Sequence, residues 1–171
     1  MNEQMERYMP ISLNNSNIRL KTWLLIHKAY NSLVKTEEYS FNPLGISPQQ
    51  NGILMAIKHS PCQITITDAA NWLERKPNTI SFLVEGMIKE GLIIKTKNKA
   101  DHRQVNLALT DRGREVAEKA NGIGWRLINE VLGNLPEGEL LKLNKTLEKI
   151  YSQANNSLRR KNPTENMKTP E

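Results

Sequence analysis

A chain of 171 residues can bury one adequate core, and its 24 lysines and arginines against 18 aspartates and glutamates leave a formal charge of +6. That balance favours a polyanionic partner without separating nucleic acid from an anionic membrane surface. The single cysteine, Cys62, excludes an intrachain disulfide and a thiolate metal cluster and fits a reducing cytoplasm. No signal-type apolar stretch opens 1–15, and no apolar run of about 18 residues follows, which argues against a membrane-spanning helix and for a cytoplasmic protein with no membrane partner.

After a flexible arm at 1–15, helical spacing runs over 16–35 within an N-terminal region at 16–40. Trp23, Ile26, His27, Tyr30, Leu33 and Val34 form a stripe there that needs a cover. Asn42-Pro43-Leu44-Gly45 interrupts the pattern. Ser47 then reads as an N-cap with Pro48 at the first helical position, opening a helix to about His59 that Ser60-Pro61 ends. A brief extended run at 63–65 precedes Thr67, the expected cap of a short helix at 68–73.

A turn at 74–77 leads to a second helix at 78–90, with Ile80, Leu83, Val84, Met87 and Ile88 on the buried side and Gly91 as its C-terminal cap. Two short helices joined this tightly predict a helix-turn-helix. Asn78, Thr79, Ser81, Phe82, Glu85 and Lys89 then share the opposite face, whose short hydrogen-bonding side chains suit base edges in a major groove.

Two β-type runs, 92–97 and 104–110, flank the charged connection Asn98-Lys99-Ala100-Asp101-His102-Arg103, a hairpin with a basic tip. Thr110 or Asp111 can cap a long helix to about 132, with Val116, Ala120, Ile123, Leu127, Ile128 and Val131 at helical spacing and Gly122 and Gly124 weakening its middle. Pro136 marks a joint. Leu140, Leu143, Leu147, Ile150, Tyr151 and Ala154 define a last amphipathic helix, so 114–154 is a helical region and 155–171 a polar tail expected to be disordered. The fold class is therefore mainly α with a small β-wing: a winged helix-turn-helix over 46–113, flanked by helices whose apolar stripes a second copy would cover. A two-fold homodimer would set two recognition helices roughly 34 Å apart on an inverted repeat of double-stranded DNA.

The stretch 46–113 with its flanking helices resembles the MarR family of dimeric transcriptional regulators. The likeness rests on Asp101-His102-Arg103, then Leu109-Thr110-Asp111-Arg112-Gly113, with Lys89-Glu90-Gly91-Leu92-Ile93 ending the recognition helix. It implies that Asp101 holds Arg103 against the DNA backbone or minor groove, and that Asn78, Thr79 and Ser81 approach the major groove. It implies also a small aromatic or phenolic effector, with Trp23, His27 and Tyr30 as candidate lining. Two positions depart from the family pattern. His102 stands where arginine is common, so insertion of the wing tip is weaker or pH-sensitive. Phe82 replaces a frequent arginine, and either contacts thymine methyls or is buried by a rotation of the helix.

Arg75 and Lys76 in the inter-helix turn, and Lys95, Lys97 and Lys99 in the wing, read as phosphate contacts or as solvated charges. On an amphipathic stripe His27 fits a core or dimer-interface position better than an effector cavity, and Cys62 an inert thiol rather than an oxidant sensor. His27, His59 and His102 lie on different elements with no metal-ligand spacing. No nucleophile elbow or phosphate-binding glycine loop occurs, so neither enzyme activity nor a cofactor is expected. A regulator that represses by occupying a promoter is the main reading. A winged-helix module that docks a protein is the alternative.

Overall fold

Residues 17–97 and 105–161 are described in the computed structural model of the chain. Helix α1 (Ile18–Phe41) starts at Asn17, whose side chain accepts the Leu20 N–H at 3.2 Å. It passes the expected end near 35 because 36–40 hold no glycine or proline and Phe41, at its C-terminus, is buried in the core. A 3-10 turn (Asn42–Leu44) and Gly45 at φ +68° then redirect the chain. Helix α2 (Pro48–His59) carries a reciprocal capping box. Gln50 N–H donates to Ser47 Oγ at 3.2 Å and Ser47 N–H to Gln50 Oε1 at 2.8 Å.

Strand β1 (Ile64–Thr65) runs directly into α3 (Ile66–Trp72). The cap is Thr65, correcting the expectation of Thr67: Asp68 N–H donates to Thr65 Oγ1 at 3.2 Å, and the Asp68 carboxylate accepts the Thr65 N–H at 2.7 Å. The cap-to-carboxylate spacing belongs to 65 and 68, and Thr67 already lies within the first turn. Helix α4 (Pro77–Lys89) begins one residue earlier than expected, since proline suits the first helical position. Gly91 at φ +70° closes it in a Schellman arrangement, with Leu92 N–H on the Met87 carbonyl at 2.9 Å and Gly91 N–H on that of Ile88 at 3.0 Å.

Strand β2 (Ile93–Lys97) pairs antiparallel with β3 (Val105–Leu109), Ile93 opposite Leu109 and Lys97 opposite Val105. β1 joins the other edge of β3, with Ile64 opposite Leu107, giving the order β1-β3-β2. Thr110 Oγ1 accepts the Gly113 N–H at 2.9 Å to cap α5 (Asp111–Leu132), and after Pro136 helix α6 spans Glu137–Lys161. Residues 155–161 are thus helical, not part of a disordered tail. No glycine or proline lies between Gly138 and Pro163, and Arg159, Arg160 and Lys161 favour the negative end of the helix dipole.

One compact unit closes at Trp125 and a second opens at Arg126. In the first, Ile53 and Leu54 of α2, Ala69 and Ala70 of α3, and Ile80, Val84 and Met87 of α4 are buried together with Ile93, Leu107 and Ala117. The paired alanines of α3 belong to this shared core, where their small size permits close helix approach. In the second unit α6 has no buried residue, and its apolar Leu143, Leu147 and Leu158 are exposed.

Candidate nucleic-acid interface

The rotation of α4 is fixed by its buried side. Ile80, Val84 and Met87 are fully enclosed, and burial of such side chains stabilises by about 1.5–3 kcal/mol each. Turning the helix to bury Phe82 would recover one such contribution and forfeit three. Phe82 is accordingly 81% exposed, which overturns the burial alternative. Asn78, Thr79 and Glu85 are also exposed and Ser81 is half-buried, so the residues expected on the outward face of α4 share that face.

The turn before α4 passes through Glu74 at φ +52° and is tied back by the Arg75 N–H on the Ala70 carbonyl at 2.9 Å. It presents Arg75 and Lys76 exposed at the N-terminus of α4. Lys76 is the N-cap but contributes no side-chain cap, and Pro77 has no N–H. The Thr79 and Ile80 N–H groups both donate to the Lys76 carbonyl, at 3.0 and 3.3 Å, so what the first turn presents outward is chiefly the positive end of the helix dipole, which favours phosphate.

The wing is attached to this helix. Lys95 Nζ of β2 forms an ion pair with Glu85 of α4, so Lys95 is a strut between the two elements as well as a surface charge. Lys97 is exposed where β2 leads into 98–104. Lys99, Asp101, His102 and Arg103 lie outside the described residues. At the wing base, Thr110 Oγ1 donates to the Gly91 carbonyl at 2.6 Å and Thr110 N–H to that of Leu92 at 3.1 Å, locking the C-terminus of α4 to the start of α5.

Sequence reasoning missed Asn106. It is 1% exposed in β3, donates from Nδ2 to Gln63 Oε1 at 2.5 Å, and so ties β3 to the segment entering β1. An asparagine inside the apolar run Val-Asn-Leu-Ala-Leu was the available signal. The Glu85–Lys95 pair and the Lys58–Glu118 pair between α2 and α5 were also unanticipated.

Trp23, His27 and Tyr30 are all exposed along α1. The Trp23 and His27 rings lie 4.8 Å apart, and His27 Nδ1 donates to the Trp23 carbonyl at 3.1 Å. Cys62 is exposed at the rim of a cleft of about 670 Å³ between α2, β3 and α5. Among the described residues, no three His, Cys, Asp or Glu side chains converge on a metal position, and no helix is long and apolar enough to cross a membrane.

A short helix, a tight turn and a second helix with a polar outward face, backed by a three-stranded sheet, define a winged helix-turn-helix protein. Its fold is that of the MarR family of transcriptional regulators, in keeping with the resemblance of the wing motif. AbsC, a MarR family regulator from Streptomyces coelicolor, superposes at TM-score 0.76 with 18% identity, over 82% of this chain and 97% of its own. MepR of S. aureus, solved in complex with DNA, gives TM-score 0.71 and 22% identity over 76% and 96%. CouR from Rhodococcus jostii RHA1, bound to p-coumaroyl-CoA, gives 0.68 and 18% over 74% and 88%. In sequence the chain is 25% identical over 127 residues to the HTH-type transcriptional repressor MdtR of Bacillus subtilis, spanning 74% of this chain and 79% of that protein. No family model matches the chain.

Proposed function

We propose that the protein is a sequence-specific DNA-binding transcriptional regulator, a homodimer that represses by occupying an inverted-repeat operator. The observation that carries this reading is the locked rotation of α4, which commits Asn78, Thr79, Ser81 and Phe82 to one outward face beside Arg75 and Lys76. Short polar side chains there suit base edges, while Arg75, Lys76, Lys97 and, in the wing tip, Lys99, His102 and Arg103 supply sequence-independent attraction to phosphate, with Asp101 orienting Arg103. Exposed Trp23, Tyr30 and Leu33 on α1, and Leu143, Leu147 and Leu158 on α6, are apolar surface that a second copy would bury. DNA and a homodimer partner require no cofactor, and a cytoplasmic location fits a single exposed thiol.

An aromatic or phenolic effector is the proposed signal, with Trp23, His27 and Tyr30 of α1 as its contacts, the Trp23 and His27 rings lying 4.8 Å apart and tilted by 38°. CouR, which shares the fold, is bound to p-coumaroyl-CoA. A coupling free energy of about 1–3 kcal/mol between ligand and DNA would give roughly 5- to 150-fold release, and DNA would weaken the ligand by the same factor. Selection of duplexes from a random pool with the full chain, followed by footprinting and sedimentation, tests the reading. Two protected half-sites about one helical turn apart, with two chains per duplex, are expected. A lone chain with no footprint would contradict it.

A further inference from the structure

Phe82 is the one strongly apolar side chain on the outward face of α4, standing among Asn78, Thr79, Ser81 and Glu85. A large exposed apolar side chain on an otherwise polar face calls for a small apolar partner, not a broad one, because a protein interface core needs contiguous apolar surface. The major groove offers one such group, the C5-methyl of thymine. The cations Arg75 and Lys76 at the start of the same helix favour a polyanion over a protein, and the carboxylate of Glu85, one turn beyond Phe82, is neutralised by Lys95. We infer that Phe82 reads a thymine in the half-site by packing on its C5-methyl group. The residue lies four positions after Asn78, about 6 Å along the helix axis. The thymine therefore lies within about two base pairs, at ~3.4 Å each, of the base that Asn78 contacts.

This inference rests on the DNA-binding reading, and the test separates the two. With a duplex selected from a random pool by the full-length protein, each thymine of one half-site is replaced singly by deoxyuridine, which removes only the methyl group. Burial of one such group corresponds to about fourfold in affinity. The parent should lose about fourfold at one thymine, Phe82→Leu should retain part of that sensitivity, and Phe82→Ala should bind parent and substituted duplexes alike. The salt dependence of all three proteins should be unchanged. Phe82 is exposed, so both variants should melt with the parent. A parent indifferent to deoxyuridine at every thymine, or a Phe82→Ala protein as sensitive as the parent, overturns the inference while leaving DNA binding intact. A Phe82→Ala change that alters only self-association assigns the side chain to a protein contact and overturns it equally. Failure to select any duplex removes the underlying reading, and this one with it.

Discussion

A methyl group placed on Gly113 would lie 1.9 Å from the carbonyl oxygen of Leu92, which makes this glycine the contact point between the first turn of α5 and the start of the wing. The two nearest atoms, the carbonyl oxygen and carbon of Leu92, are backbone and cannot yield cheaply. Thr110 completes the joint by accepting the Gly113 N–H and donating to the Gly91 carbonyl. Gly113→Ala should destabilise the full chain by about 3 kcal/mol through overpacking. Urea unfolding at fixed protein concentration measures this, and a midpoint equal to the parent's would show that the joint opens freely.

The Lys95–Glu85 pair joins β2 to α4 at side chains that are both substantially exposed. Such pairs contribute at most about 1 kcal/mol, so Lys95→Ala should scarcely change the unfolding midpoint. Its effect should fall on DNA instead. Glu85→Gln removes a carboxylate from the outward face of α4 and leaves Lys95 available to phosphate. Non-specific affinity should rise, and the salt slope should steepen by about one. Identical binding isotherms for Glu85→Gln and the parent would place this pair outside the interface.

Thr65→Ala should cost about 1 kcal/mol, because it deletes the side-chain cap of α3, whereas Thr67→Ala should cost little. Thermal melts of the two variants side by side decide the point. Equal losses would deny Thr65 its capping role.

Burial raises the pKa of Glu37 in α1 above the ordinary 4.5. The folded protein therefore favours the protonated carboxyl. Its contribution to stability is complete below about 4.5 and is lost as pH rises through the higher folded value. Glu37→Gln keeps the position neutral throughout. It should be more stable than the parent at pH 7, with the difference closing toward pH 4, and denaturation series at the two pH values read it directly. A difference that widens on acidification would reverse the assignment.

The parts of this fold legible in the sequence are those encoded within three or four residues. Ser47, Pro48 and Gln50 spell out a helix start, Gly91 a helix stop, and the three- and four-residue apolar spacing of 78–90 the two faces of α4. Thr65 was misread because one residue both ends β1 and caps α3, and an extended reading of 63–65 hid the cap. The C-terminus of α1 was missed for a different reason. Phe41 is held by the core, a tertiary effect that local periodicity does not carry. Partnerships across long separations, such as Asn106 with Gln63 and Lys95 with Glu85, leave no mark in spacing. The direction of Phe82 needed the enclosed Ile80, Val84 and Met87 to decide between two rotations that the pattern alone left open.

Fluorescence anisotropy of a selected duplex, titrated with the full chain at several salt concentrations, bears most directly on the claim that α4 and the wing grip DNA together. The logarithm of the affinity should fall linearly with the logarithm of salt concentration, and Arg103→Ala should weaken every sequence while reducing the slope by about one. An affinity indifferent to salt, or an Arg103→Ala protein that binds as the parent does, would contradict the account.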